Sequence, residues 1–135
     1  MEADVSAVKE VLGQYAVAAN DGDLDSWISL WADGGTRMAP NTPPQVGKKA
    51  IGEDMEPLFD GFDIDITIHV EEATAHGDLG LTRSSFTLKM TPRAGGEEMV
   101  FEPDGKALTV YERQADGSWK IVYDCFNTNV PPSEP

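Results

Sequence analysis

Apolar residues in the first third of the chain recur at spacings of three and four. Val5, Val8, Leu12, Tyr15 and Ala19 form one such stripe and predict a helix that Asn20-Asp21-Gly22 ends. Asp23 is placed to cap a second helix, with Leu24, Trp27, Ile28 and Trp31 on one apolar face and Gly34-Gly35 stopping it. Few residues separate the two helices, which are expected to pack antiparallel. Thr36 to Val46 is irregular: Pro40, Pro43 and Pro44 exclude a helix and leave room only for a short edge strand. A third helix is predicted from Lys48 to about Phe59, kinked or ended early by Pro57.

Beyond Gly61 the period changes to two. Ile64, Ile66, Ile68 and Val70 alternate with Asp63, Asp65, Thr67 and His69, the pattern of a half-buried strand. His76-Gly77-Asp78 is a turn, and a second strand follows from about Leu79 to Thr91. Pro92 to Gly96 reads as a hairpin loop. A third strand, about Met99 to Gln114, is interrupted at Pro103-Asp104-Gly105. Asp116-Gly117 is the strongest hairpin signal in the chain. The last strand runs from Ser118 to about Asn127, and residues 128–135, with Pro131 and Pro132, are expected to form a frayed tail. Helices first and an antiparallel meander second predict an α+β class, with the helices on one face of a curved sheet.

The chain has 135 residues, which suits a single domain spanning 1–135. Its 24 acidic and 10 basic residues leave a formal net charge of −14. Such a surface repels phosphate backbones and anionic headgroups, so neither a nucleic acid nor a membrane surface is an expected partner. The one cysteine, Cys125, allows no internal disulfide and is read as buried and structural. Met1-Glu2-Ala3-Asp4 lacks the basic and apolar regions of a signal peptide, and no apolar run is long enough to span a bilayer. A cytoplasmic location is the expectation.

Three segments, YAVAANDGDLDSWISLWAD, MAPNTPPQVGKKAI and DGKALTVYERQADGSWKIVYDCFN, resemble the nuclear-transport-factor-2-like superfamily, in particular its SnoaL-like, ketosteroid-isomerase-like branch. The resemblance covers about Val5 to Asn129. It implies a cone in which three N-terminal helices close over a highly curved antiparallel sheet (a cystatin-like fold) around an apolar pocket. It also implies a homodimer through the sheet's outer face. The superfamily hosts isomerases, cyclases, dehydratases, hydrolases and non-catalytic modules, so fold alone does not select an activity.

The resemblance directs attention to a few side chains. Tyr15 matches the helical tyrosine that donates to an oxyanion in the ketosteroid isomerases, a role that needs a dry site. Their carboxylate base precedes a proline; here Met38-Ala39-Pro40 puts Ala39 in its place. Leu108-Thr109-Val110-Tyr111 offers no second carboxylic acid, so steroid isomerase activity is disfavoured. Asp124 matches the acid–base position of SnoaL-like cyclases. It shares a strand face with Val122 and Phe126 by parity, as a pocket acid or as the structural partner of Arg83. Arg83 is either an anchor for a substrate anion or half of an ion pair on the sheet. The epoxide-hydrolase pattern Arg-x-Asp is broken here by Ser85.

Trp31, Met38, Phe59, Ser85, Phe126 and Asn127 complete the expected ligand-binding set. His69 and His76 lack a third ligand at useful spacing, so no metal is expected, and acid–base chemistry on a small apolar molecule needs no cofactor. Trp119, Ile121 and Tyr123 alternate opposite Asp124, and would form an outward patch for the dimer unless a bulge reverses their parity.

Overall fold

The computed structural model describes residues 2–95 and 99–129. The elements run α1 (Glu2–Asp21), α2 (Leu24–Ile28), β1 (Trp31–Met38), β2 (Gln45–Val46), α3 (Lys48–Gly61), β3 (Phe62–His76), β4 (Leu79–Pro92), β5 (Met99–Arg113) and β6 (Trp119–Thr128). The strands form one curved, unclosed sheet in the order β2-β1-β6-β5-β4-β3, with the helices packed on its inner face. The architecture is α+β, as the order of periodicities requires.

The stripe on α1 buries Val8, Leu12 and Ala19 against the sheet. Its C-terminal end is tied to the outer edge of β3. The Asn20 side chain donates to the carbonyl of Ile66 at 3.0 Å and accepts from the Ile66 amide at 2.7 Å. An amide side chain here does what a neighbouring strand would do, and blunts an open edge.

Three elements differ from the sequence expectation. The second helix ends at Ile28, and Trp31, assigned to its apolar face, begins β1. Trp31 is the parallel partner of Ile121, and its ring centroid lies 5.6 Å from that of Trp27. The sheet therefore offers both pairing and burial, which outweigh the helical spacing. β1 also makes one pair in the sheet parallel, where a purely antiparallel sheet was expected. Pro57 stands inside α3 without ending it. Pro57 and Glu53 are both exposed, so the carbonyl that loses its partner faces water.

The fourth difference decides the site. In β6, Ile121 pairs with Tyr111 but Tyr123 pairs with Val110. Val122 is the extra residue of a β-bulge, and the alternation of the strand reverses across it. Trp119 and Ile121 are buried in the core, and Asp124 and Phe126 also face inward. Only Tyr123 of the expected outward patch is exposed. The same reversal leaves Cys125 exposed, where a buried residue was expected. The interruption foreseen at Pro103-Asp104-Gly105 is a register shift within β5, opposite Phe86 and Leu88. β6 continues through Thr128; from residue 130 on, the expected tail, Pro131 and Pro132 included, lies outside the described residues.

No helix among the described residues is long and apolar enough to cross a membrane.

Candidate functional site

Three rows of residues cross the inner face of the sheet. Gly80, Tyr111, Ile121 and Trp31 make one; Thr82, Thr109, Asp124 and Arg37 make the next; Ser84, Ala107 and Phe126 begin the third. The first row closes the core. The second is polar across four adjacent strands, although it faces inward. The third opens onto a cavity of about 260 Å³.

Trp27, Phe59, Ile66, Phe86, Met90 and Phe126 supply much of the apolar wall. Into it project Tyr15, Ser84, Thr109, Asp124 and Arg37, and the last two are the charged residues among the described lining. Ala39 also lines the cavity, so the position of the isomerase base is in the site but carries no acid.

Asp124 is 5% exposed. The Thr109 hydroxyl donates to its Oδ1 at 3.0 Å, and the Tyr15 hydroxyl lies 3.5 Å from its Oδ2. The second distance is long for O–H···O, so that contact is the weaker of the two. Burial pushes the Asp124 carboxyl above the usual carboxylate range, opposed by the Arg37 guanidinium and by the hydrogen bonds from Thr109 and Tyr15. Burial and the Asp124 charge likewise push the Tyr15 phenol up, so it remains a donor across the physiological range. Behind Thr109, the hydroxyls of Thr82 and Tyr111 share a 2.8 Å hydrogen bond, which fixes the buried end of the polar row.

Arg37 leaves β1 directly beside Asp124 in register. Its Nη1 donates to Gln45 Oε1 at 3.1 Å and stands 3.7 Å from Asp54 Oδ2 on α3. The guanidinium carbon lies over the Phe126 ring, 5.0 Å from the centroid. Its Nε is buried without a hydrogen-bond partner, and so is the Trp31 indole nitrogen.

The sequence-predicted residues divide cleanly. Asp124, Tyr15, Phe59 and Phe126 come together on the cavity. Arg83, Ser85, Met38 and Asn127 do not, because their positions fall on the outer rows of the sheet. Arg83 pairs with Glu72 at 2.8 Å and Ser85 donates to Glu71 at 2.9 Å. Arg83 is therefore the ion pair of the two readings, and Asp124 has no contact with it. Trp31 stands one layer behind Trp27, outside the lining.

Arg37, Thr109 and Ser84 are residues that sequence reasoning missed. Alternation with Tyr111 and Ala107 could have placed Thr109. Nothing local could have placed Arg37, which falls near the start of the stretch Thr36 to Val46 that reads as irregular. Among the described residues, no three His, Cys, Asp or Glu side chains are grouped to hold a metal ion.

A curved, unclosed sheet with helices packed on its inner face is the architecture of the NTF2-like, cystatin-like folds. Within that class the chain belongs to the SnoaL-like domain family, whose model matches residues 11–123. Solved structures agree on the fold. A ketosteroid isomerase-like protein from Erwinia carotovora atroseptica is 24% identical, with a TM-score of 0.82 over 95% of this chain and 98% of that one. A conserved protein from Planctomyces limnophilus is 25% identical, with a TM-score of 0.84 over 98% and 100%. A candidate dehydratase of the NTF2-like family from Streptomyces avermitilis is 17% identical, with a TM-score of 0.84 over 97% and 100%. No curated protein matches the chain.

Proposed function

We propose that the protein is a cofactor-independent acid–base enzyme acting on a small, mostly apolar molecule by isomerisation, cyclisation, dehydration or hydrolysis. The observation that carries this reading is the Asp124 carboxyl, held inside an apolar cavity by the Thr109 hydroxyl with the Tyr15 hydroxyl 3.5 Å away. Asp124 is the general acid or base, because its raised pKa brings proton loss closer to neutral pH. Tyr15 is the donor to a developing oxyanion. Ala39 in place of a carboxylate argues against the steroid isomerase reaction, and the described dehydratase is similar in fold alone.

A thermal-shift screen over steroids, aromatic polyketides, terpene epoxides and small carboxylates tests the reading. A ligand at about 100 times its dissociation constant adds roughly 2.7 kcal/mol of stability. Asp124→Asn is expected to keep binding the hit while losing about 10²- to 10⁴-fold in turnover. Equal turnover by that variant would remove Asp124 from the chemistry.

A second reading, a dimeric binding or interaction module, draws on the outer face. Leu81, Leu108 and Tyr123 are 37%, 48% and 50% exposed there, on adjoining strands. They replace Trp119 and Ile121 as the contact surface of a homodimer. The two readings are compatible if the dimer surface and the cavity lie on opposite faces of the sheet.

A further inference from the structure

We propose that the ligand of the cavity is an apolar carboxylate, whose charged oxygens are held by Arg37 on one side and by Asp124 in its protonated form on the other. This rests on the reading of the cavity as a ligand site, and it names the chemical class of the ligand.

Arg37 is a buried cation with donors to spare. A guanidinium carries five N–H donors in a fixed fork. One is used on Gln45, and Asp54 lies near the same nitrogen at 3.7 Å. The stack over Phe126 holds the group in place without consuming a donor. Nε is left buried and unpartnered, in a side chain only 11% exposed. Leaving a buried guanidinium short of acceptors is costly, and an anionic oxygen brought to the group by a ligand lowers that cost. Arg37 and Phe126 both line the cavity, so the cation and the apolar wall belong to one site.

Charge then selects the partner. The groups that face Asp124 are Tyr15 from α1, Arg37 from β1, and Thr109 and Tyr111 from β5. Asp54, half exposed, faces Arg37 from α3 and is largely screened by water. Within the cavity, therefore, one cation stands beside one titratable acid. A neutral ligand would leave that pair as it is. An anionic ligand pairs with Arg37, and Asp124, beside it in register and already biased toward its neutral form by burial, takes a proton. Its O–H then donates to the ligand, as does that of Tyr15. Binding of a carboxylate is accordingly coupled to uptake of a proton, and its affinity falls as pH rises past the titration of Asp124.

Matched pairs of acid and amide separate this from simple apolar binding. 4-Phenylbutyrate and 2-naphthoate, each beside its primary amide, are titrated calorimetrically into the full chain and into Arg37→Met and Asp124→Asn. The expected result is an acid preference on the order of tenfold or more in the unaltered protein. Arg37→Met should abolish the preference by weakening acid binding far more than amide binding. Above the titration of Asp124, acid affinity should fall by about tenfold per pH unit, and Asp124→Asn should lose that slope. Should Arg37→Met fail to fold, the acid–amide comparison and the pH slope of the unaltered protein still decide.

Amides that bind as tightly as acids overturn the proposal and leave the pocket reading intact. So does an acid preference that survives Arg37→Met. Failure of both pairs, when a neutral compound of the wider panel binds, also overturns it. Failure of every compound overturns the pocket reading itself.

Discussion

A single buried carboxyl sets much of the behaviour expected of this protein. Asp124 binds its proton more tightly in the folded chain than in the unfolded one. Its contribution to stability is therefore full below the ordinary carboxylate range and is lost as pH rises through the folded-state pKa. Asp124→Asn removes that loss. It should raise stability near neutral pH by about 1 kcal/mol, and the gain over the unaltered protein should vanish in acid. Urea denaturation of both proteins across the acid-to-neutral range measures this difference, in which the many other carboxylates cancel. Destabilisation by the variant at every pH would assign Asp124 a structural role. Tyr15→Phe, which gives up only a 3.5 Å contact, should cost less than about 1 kcal/mol in the same assay.

Between elements, two contacts carry more than their size suggests. Asn20 satisfies both backbone groups of Ile66 on the edge of β3. Asn20→Ala should cost about 1–3 kcal/mol and raise amide exchange at Ile66 before the rest of β3, since the backbone groups it serves lose their partners. Gly105 lies where β5 shifts register, and a Cβ there would collide with the Phe86 ring and come within 2.8 Å of the Asn127 carbonyl oxygen. Gly105→Ala should therefore cost about 1–3 kcal/mol and push Phe86 toward the cavity. The measurable result is a lower melting temperature together with weaker binding of any ligand that fills the cavity. The bulge at Val122 works on the same scale. One extra residue lets Trp119 and Ile121 close the core while Asp124 and Phe126 still face the cavity.

At the scale of the whole molecule, the sheet separates two surfaces of different character. Its inner face carries the apolar cavity with the Arg37–Asp124 row, and its outer face carries Leu81, Leu108 and Tyr123. A homodimer through the outer face predicts that Leu108→Glu, placed among these residues, shifts sedimentation from dimer to monomer without lowering ligand affinity. A dilute unaltered protein that sediments as a monomer would count against the dimer. With a net charge of −14, the chain as a whole repels anions. Selection of a carboxylate therefore has to come from the local charge at Arg37, and added salt should weaken its binding little.

Periodicity alone determined the α+β class, the four long strands, the Asp116-Gly117 turn and the stripe that places Tyr15 inward, because each depends on residues close in sequence. The resemblance carried by three segments singled out Asp124 before any geometry was known. The tertiary structure decided the rest. Trp31 left its helix because a parallel partner was available only in the folded sheet. Arg83 and Ser85 went to the outer face, and Arg37 took a place beside Asp124 that no local pattern marks. The parity of β6 turned on one bulged residue, and a bulge is fixed by the register of neighbouring strands rather than by the sequence of its own. Which polar side chains meet inside a curved sheet is set by how distant strands align, and that alignment is a property of the fold.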